Sequence, residues 1–488
     1  MATSEATKGF FSKYSNIENN KFGKTDYMVS AFGFGGYRID YEVEEHAYAL
    51  KYAIKNGINL IDTSSNYSGG GSEILVGNVL NELISTKEIE RDEIIVVTKA
   101  GYIQGENLEI AYAKEYNGQP YTGIVKCDEE LWHCIHPEFL RDQILMSQQR
   151  LRLDKIDIFL LHNPEYFLSY TNLNDMEELL ELYYRRIEKA FRYLETEVDN
   201  GRISFYGVSS NTFGVSSKFK NFSSLEKIIE IANGIKEDNH FAVVQAPLNL
   251  LEKGIAAEKN QNKNTKTFLE SAVEHNLGVM INRPINAINN NELLKLANVP
   301  VKYNVTKDEV DNGIKELVEE EKTIHNKLLK KVDKNLFLPM RECLSVGIDL
   351  NEGLDKFENI DKFIYMKNHM YLSRANFAVA EVSKTLKKQK EIERIENYLE
   401  KMAYVVETVE SHFGIEINKR KEFVHEMINE FLNENEKELP LSQKALLMVN
   451  SLPGISTTLV GMRKEEYVNE VLKVLQYNKA HKAKEYFS

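Results

Sequence analysis

The sequence predicts an α/β fold: a (β/α)8 TIM barrel with a large, mainly helical insertion between strand 7 and strand 8. Three observations predict it. Eight short apolar runs alternate with amphipathic stretches. The runs are apolar on both faces, as parallel strands buried on both sides must be. Residues 301–440 break the rhythm, with 51 charged residues in 140 against 84 in the other 348. An open doubly wound sheet would also alternate strands and helices, but eight units favour closure.

The expected strands are Val29–Phe34, Ile58–Ile61, Ile94–Thr98, Ile156–Leu161, Ser204–Val208, Phe241–Gln245 and Gly278–Ile281, with Thr457–Val460 as the eighth. Glu44–Lys55 reads as a helix that gathers Ala47, Leu50, Tyr52 and Ile54 before Gly57 ends it. Ser72–Leu83 reads as a helix capped by Ser72, carrying Ile74, Leu75, Val79 and Leu80. Met176–Asp199 is a longer charged helix stopping before Gly201, and Leu441–Ser451 leads into the last strand. The barrel therefore takes residues 25–300 and 440–478, and the insertion 301–439.

Only four of the 26 glycines fall in the insertion, and high charge with little glycine reads as solvated helix rather than linker. Val379, Val382, Leu386, Ile392, Ile395, Leu399, Met402, Val406 and Val409 recur at a spacing of three or four, with one slip near Gln389. Ile314 and Phe423 open two further stripes. Such stripes must bury a face. The expectation is a self-packed helical subdomain that restricts substrate access, with an oligomer contact as the other use of the long run.

Composition excludes several classes. Sixty-one Lys+Arg against 74 Asp+Glu leave a net charge of −13, which argues against nucleic acid as a partner. No apolar run reaches the ~18 residues of a membrane span, and the first residues carry no apolar leader segment. Three cysteines (Cys127, Cys134, Cys343) make no disulfide framework. A cytoplasmic protein with neither membrane nor nucleic-acid partner is expected. Cys127, His133, Cys134 and His136 crowd one loop, but adjacent His133 and Cys134 do not converge easily on one ion, so no metal is expected.

The chemistry lies at the strand ends. Strand two runs into Asp62-Thr-Ser-Ser-Asn-Tyr67-Ser-Gly-Gly-Gly, strand three ends in Val97-Thr-Lys99, and strand four in Leu161-His162. Singly, each of Asp62, Tyr67, Lys99 and His162 has an ordinary structural explanation. Together they place an acid, a phenol, an ammonium and an imidazole at C-terminal strand ends, where barrel enzymes assemble their sites. A phenol with a pKa of about 10 is a poor proton donor at neutral pH. Lys99 is expected to lower that pKa, Asp62 to hold Lys99, and His162 to orient a carbonyl oxygen. Because no side chain donates hydride, the reading requires a nicotinamide cofactor. The glycines 69–71 are not a phosphate loop, since no Gly-Lys-Ser/Thr follows; they let the backbone turn into the next helix.

These motifs resemble the aldo-keto reductase superfamily. Phe34-Gly-Gly-Tyr-Arg38, Gly57-Ile-Asn-Leu-Ile-Asp62, Gly70-Gly-Ser-Glu73, Val97-Thr-Lys99, Leu160-Leu-His162, Gly207-Val-Ser-Ser-Asn211, Leu452-Pro-Gly454 and Leu459-Val-Gly-Met-Arg463 carry the resemblance. It implies NAD(P)H-dependent interconversion of small carbonyls and alcohols, with Tyr67 as general acid/base, Asp62 and Lys99 as its tuners and His162 as the orienter. It further implies that Gly36 and Tyr37 border the cofactor. Ser209 and Gln245 hold the nicotinamide carboxamide, with Ser210 or Asn211 as the second contact. Where the family commonly stacks a tyrosine on the nicotinamide this chain has Asn282-Arg283-Pro284, so Asn282 is expected to cover the ring and Arg283 to reach a phosphate. Gly461, Met462 and Arg463 open the helix after strand eight, where N–H groups favour a phosphate, and Tyr467 and Glu470 follow on that helix. Many relatives have an arginine where Tyr467 stands; Arg463 as its substitute makes NADP the expected cofactor, with NAD possible. Tyr37 and Trp132 are expected pocket walls, under a cover formed by the long loop Tyr102–His136. A reading from another class, a cofactor-holding regulatory or scaffold protein with a helical interaction module, stands beside the enzyme.

Overall fold

The computed structural model describes residues 1–289, 292–297, 299, 301–357 and 360–488. The chain divides into two compact units, Met1–Ala297 with Ile428–Ser488, and Asn298–Met427.

The first unit is built on β1 (Phe32–Gly35), β2 (Leu60–Asp62), β3 (Ile95–Ala100), β4 (Ile156–His162), β5 (Ile203–Ser209), β6 (Phe241–Pro247), β7 (Gly278–Asn282) and β8 (Thr457–Val460). They close into a barrel in which every neighbouring pair is parallel and β8 meets β1. Leu60, Ile95, Val97, Ile158, Leu160, Val243, Met280 and Leu459 fill the interior and are almost wholly buried, the packed core such a barrel needs in place of a pore. Gly207 sits at an irregularity in the β5–β6 register; a Cβ there would lie 1.8 Å from the Val243 carbonyl oxygen, so the two strands require glycine.

The first expected strand is two elements. Met28–Ser30 pairs antiparallel with Asn19–Lys21, and only Phe32–Gly35 joins the barrel. Ser30 breaks the run: its Oγ donates to the Phe32 carbonyl at 2.7 Å, and its N–H goes to the Asn59 side chain at 2.9 Å. Such side-chain-to-backbone bonds compete with a continuous ladder. The hairpin contributes Phe22, Tyr27 and Val29 to the interior core.

The helices include α1 (Glu44–Lys55), α2 (Gly71–Ser85), α3 (Pro137–Leu151), α4 (Met176–Asp199), α5 (Leu225–Ile235) and α6 (Phe268–Glu274). In α1 the fully buried set is Ala49, Leu50, Ala53 and Ile54; Ala47 and Tyr52 lie at its edge, half-buried. Ser72 is not the cap of α2. Gly70 takes that position at φ 96°, a left-handed conformation that suits glycine. Ser72 lies inside the helix, its Oγ 2.9 Å from the Gly36 carbonyl and 2.7 Å from Thr63 Oγ. The loop after β3 is folded rather than open: Tyr102–Ile103, Trp132–His133 and Val125–Lys126 form a three-stranded sheet, with a helix over Glu106–Tyr116.

The second unit holds α7 (Lys307–Lys327), α8 (Val346–Gly353), α9 (Leu372–Thr385) and α10 (Gln389–Arg420) among its helices. Thr306 and Glu309 cap α7 reciprocally. The long apolar run is broken where its spacing slips, at Leu386–Lys388, between α9 and α10. Val379, Val382, Ile395, Met402, Val406 and Val409 are buried together with Val310, Ile314, Leu317 and Leu350 in this unit's own core. Glu321 lies inside it, accepting the Gly347 and Ile348 N–H groups at 2.7 and 3.0 Å and the Tyr398 hydroxyl at 2.9 Å. Burial pushes its carboxyl up to about 7.

Residues 428–439 belong to the barrel unit. Phe431 meets Tyr486 edge-on with ring centroids 5.0 Å apart, and Asn429 Oδ1 accepts from Lys444 Nζ at 2.6 Å. Lys444 lies on α11 (Leu441–Asn450), which precedes β8; α12 (Glu465–Val474) follows it. Among the described residues no helix is long and apolar enough to cross a membrane.

Candidate active site

Strand register assembles the site. Gly35 opposes Asp62, Asp62 opposes Val97, Ser209 opposes both His162 and Gln245, and Pro247 opposes Asn282. Six strands thus deliver their last residues to one rim, the C-terminal one.

Lys99 on β3 is fully buried. Its Nζ donates to both carboxylate oxygens of Asp62 at 2.7 Å and to the Thr63 carbonyl at 2.9 Å. Gln245 Nε2 adds a third bond to Asp62, at 2.9 Å. Burial draws the Asp62 carboxyl up and the Lys99 ammonium down from their usual ranges, and the charge of each opposes the other's shift. The ammonium also lies 5.0 Å from the centroid of the Tyr67 ring, a cation–π separation.

Tyr67 stands in the turn between β2 and α2, carried by left-handed Ser68 and Gly69 at φ 49° and 61°. Its ring meets Tyr37 edge-on at 5.1 Å and His162 edge-on at 5.9 Å. The phenol pKa is not lowered. Burial, then the Asp62 charge, hold it well above 10. Lys99 does not offset them, its ammonium being paired with Asp62. The Tyr67 hydroxyl proton is thus held more tightly than that of a free phenol.

His162 is neutral: burial first, then the Lys99 charge, hold it well below the usual imidazole range. Its Nδ1 faces Ser64 Oγ at 3.1 Å. Its carbonyl accepts from His133 Nε2 at 2.8 Å, and burial lowers His133 to about 4. Tyr102 closes the other side, its ring 4.7 Å from His162 and its hydroxyl 2.6 Å from Asn163 Nδ2. Sequence reasoning missed Ser64, His133 and Tyr102 as members of this shell. Tyr102, three residues past Lys99 at the mouth of β3, was the findable one, because barrel sites draw on the first loop residues.

Among the positions expected for the cofactor, Ser209 Oγ donates to Gln245 Oε1 at 2.9 Å, and Asn282 Nδ2 to the same oxygen at 3.3 Å. Asn282 Oδ1 is buried without a partner, and the Ser209 oxygen keeps its acceptor capacity. An amide-bearing ring such as nicotinamide fits that acceptor pair. Ser210 is buried against Thr212 Oγ1 at 3.1 Å, whereas Asn211 is exposed and donates its N–H to Glu165 Oε1 at 2.9 Å. Glu165 is itself buried, which pushes its carboxyl up to about 7. Arg283, at φ 54°, pairs with Glu252 at 2.9 Å. Gly36 lies against Asp62, its N–H bonded to the Asp62 carbonyl at 2.8 Å.

Beyond β8 the helix begins at Glu465 rather than at Gly461, so residues 461–463 form a loop before α12. Met462 is fully buried. Gly461, Tyr467 and Glu470 are exposed and Arg463 is half-buried, near enough to His46 on α1 for its charge to help hold that imidazole down. Two acids, Glu465 and Glu466, occupy the first turn of α12, so the charge at that end favours Arg463 and the loop N–H groups over the helix terminus as anion contacts. Tyr37 is 63% exposed at the mouth. Trp132 is buried, with Lys126 stacked 4.1 Å over its ring and Tyr112 at its edge, so it packs the loop subdomain. Among the described residues no cluster of three or more acids, histidines or cysteines is arranged to hold a metal.

The NADH-specific methylglyoxal reductase of Escherichia coli is 30% identical over 148 residues, 29% of this chain and 40% of that protein. The D-arabinose 1-dehydrogenase of Saccharomyces cerevisiae is 30% identical over 142 residues, 29% of this chain and 34% of that enzyme. The chain thus spans less than half the length of these curated relatives. A solved aldo-keto reductase from Bacillus halodurans superposes with a TM-score of 0.48 at 14% identity, covering 96% of this chain and 95% of that one. The sequence model of the aldo/keto reductase family matches residues 31–287, more than half of the chain. This chain, with its closed barrel and its match to that model, belongs to the aldo/keto reductase family.

Proposed function

We propose that this protein is a nicotinamide-dependent oxidoreductase that interconverts carbonyl and hydroxyl groups of small molecules, with Tyr67 as the group that moves the proton. The observation that carries the reading is the buried Lys99–Asp62 pair beneath the Tyr67 ring, with neutral His162 beside it. A buried ion pair gives little net stability, so its burial at a site mouth is more readily understood as chemistry.

When bound, the cofactor supplies or accepts the hydride. The remaining work falls to the chain. Ser209 and Asn282 offer acceptors to a carboxamide, and Gln245 ties Ser209 and Asn282 to Asp62 through its own amide. Tyr67 donates its hydroxyl proton to the substrate oxygen as negative charge develops there, and takes it back in the reverse direction. His162 fixes where that oxygen sits. NADP is the proposed cofactor, with Arg463 meeting the 2′-phosphate.

The test is a screen of purified protein for absorbance change at the reduced-nicotinamide band. NADPH and NADH are paired with aldehydes, ketones and methylglyoxal; NADP and NAD are paired with polyols and aldoses. Turnover of at least one pair, abolished in Tyr67→Phe, is expected. Binding of the cofactor with no turnover of any pair overturns the enzymatic reading in favour of a cofactor-holding protein.

A further inference from the structure

The segment that leaves β6 is tied to the strands on both sides of it. Toward β7 the tie is Asn249, which is fully buried. Its Oδ1 accepts the Leu251 and Glu252 N–H groups at 3.0 and 2.9 Å, a side-chain turn of the kind asparagine favours. Its Nδ2 donates to Glu252 Oε2 at 2.7 Å and lies 3.3 Å from the Arg283 carbonyl. The Leu248 N–H donates to the Asn282 carbonyl at 3.3 Å, and the Arg283 guanidinium closes on Glu252. Toward β5 the contact is closer still. A Cβ on Gly254 would lie 2.1 Å from the Gly214 carbonyl oxygen, and Asn260 Nδ2 donates to the Phe213 and Val215 carbonyls at 2.8 and 2.7 Å. Residues 248–260 therefore brace the ends of β5 and β7, the strands that carry Ser209 and Asn282.

One residue far along the chain holds this brace twice. Tyr486, in the helix Ala483–Phe487, donates its hydroxyl to the Leu250 carbonyl at 2.7 Å. Its own carbonyl accepts from Lys253 Nζ at 2.7 Å, and that ammonium stands 3.5 Å from the centroid of the Tyr486 ring, a cation–π separation. Burial draws the Lys253 ammonium down, and among the described residues no carboxylate charge offsets the shift. A partly buried cation without a counter-ion is costly, so the carbonyl and the ring of Tyr486 are what keep Lys253 in place. Tyr486 is itself fixed, buried beside Phe431 and Phe487.

We infer that Tyr486 is a positioning residue for the cofactor: through Leu250 and Lys253 it holds the β6 loop, and the loop holds Ser209 and Asn282 at the spacing a nicotinamide carboxamide requires. This rests on the reading of Ser209 and Asn282 as the carboxamide's acceptors. Asp62, Lys99 and His162 stand on β2, β3 and β4, and none of the brace's own bonds reaches them. Loosening the brace therefore changes cofactor affinity and leaves the proton-transfer groups in place. Coupling between two sites is reciprocal, so the helix Ala483–Phe487 becomes steadier when cofactor binds.

The experiment compares full-length wild type with Tyr486→Ala and Tyr486→Phe. Fluorescence titration gives Kd for NADPH and NADH, steady-state kinetics gives kcat at saturating cofactor, and amide exchange reads residues 248–258 and 483–487. Tyr486→Ala is expected to raise Kd for both nucleotides about tenfold, within the usual range of coupling between sites, with kcat near the wild-type value. Tyr486→Phe keeps the ring and the carbonyl and loses one neutral hydrogen bond, so a rise of about two- to threefold is expected. Exchange of 248–258 is expected to quicken in Tyr486→Ala while β6 stays protected, and NADPH is expected to slow exchange of 483–487 in the wild type. Quickened loop exchange at unchanged cofactor Kd overturns the inference, as does a kcat that falls as far as affinity does. A wild type whose loop exchange depends on Tyr486 yet which binds neither nucleotide overturns the nicotinamide reading instead.

Discussion

Lys99 and Asp62 are closed upon each other: the ammonium has three acceptors, both carboxylate oxygens of Asp62 and the Thr63 carbonyl, enough for all three of its hydrogens. The pair is nearly closed to water, with Asp62 4% and Lys99 0% exposed, so neither charge can be removed alone without stranding the other.

Lys99→Met is therefore expected to cost about 3–5 kcal/mol of stability, the usual penalty for an orphaned buried charge. The double variant Lys99→Met/Asp62→Leu should recover most of that loss while remaining inactive. Thermal unfolding of the two variants checks the first statement and turnover the second. A double variant no more stable than the single one would show that the carboxylate is not what destabilises it.

Tyr67→Phe removes the transferable proton and keeps the ring that packs on Tyr37 and His162. Turnover is expected to fall about 10²–10⁴-fold, the contribution typical of a general acid–base group, with cofactor Kd within twofold of wild type. Wild-type turnover would remove Tyr67 from the proton transfer.

Arg463→Ala is expected to weaken NADPH binding about tenfold or more, as loss of a charged hydrogen bond does, with little effect on NADH, which lacks the 2′-phosphate. Fluorescence titration of both cofactors measures the difference. Equal losses would assign Arg463 to another part of the cofactor or to none.

The insertion should respond to pH through Glu321. Its carboxyl titrates at about 7 in the fold against an ordinary 4.5. A raised folded-state pKa means that the protonated form is favoured by folding. Its contribution is complete below about 4.5 and is lost as pH rises through about 7. Amide protection in α8, whose first N–H groups bond Glu321, is thus expected to be higher at pH 5.5 than at pH 8, after correction for intrinsic exchange. Glu321→Gln should flatten that difference; a pH dependence surviving in the variant would point to another group.

Replacing residues 298–427 by a short Gly/Ser linker is expected to leave a folded barrel that binds cofactor, because each unit has its own buried core. The same variant tests whether the insertion restricts substrate access: an altered KM or substrate range supports that role. Unaltered kinetics with a smaller assembly in light scattering would make it an interface.

Much of this molecule was legible in advance, for identifiable reasons. Parallel strands buried on both faces leave uninterrupted Val/Ile runs, so β2 to β8 could be read within a residue or two. That Asp62, Lys99 and His162 come together could be read because strand ends are where barrels keep chemistry. What failed was decided by single polar side chains. Ser30 looked like one more strand residue until its hydroxyl and N–H were seen to bond locally. Ser72 matched a cap by type, but Gly70 alone could take the left-handed turn. The direction of the Tyr67 shift was not legible because a sequence does not show how deeply the phenol is buried, and burial is the largest cause of its rise. Trp132 and Met462 are buried, which a long loop and a helix approach do not announce in sequence.

The register of β4, β5 and β6 sets His162, Ser209 and Gln245 side by side as successive cross-strand partners. Adjacent strands stand about 4.8 Å apart, so the residue proposed to locate the reacting oxygen and those proposed to hold the cofactor are spaced by the backbone ladder itself. The ladder acts as a ruler. Every loop above it, the folded excursion after β3 included, can differ in length and sequence without disturbing the spacing of those three side chains.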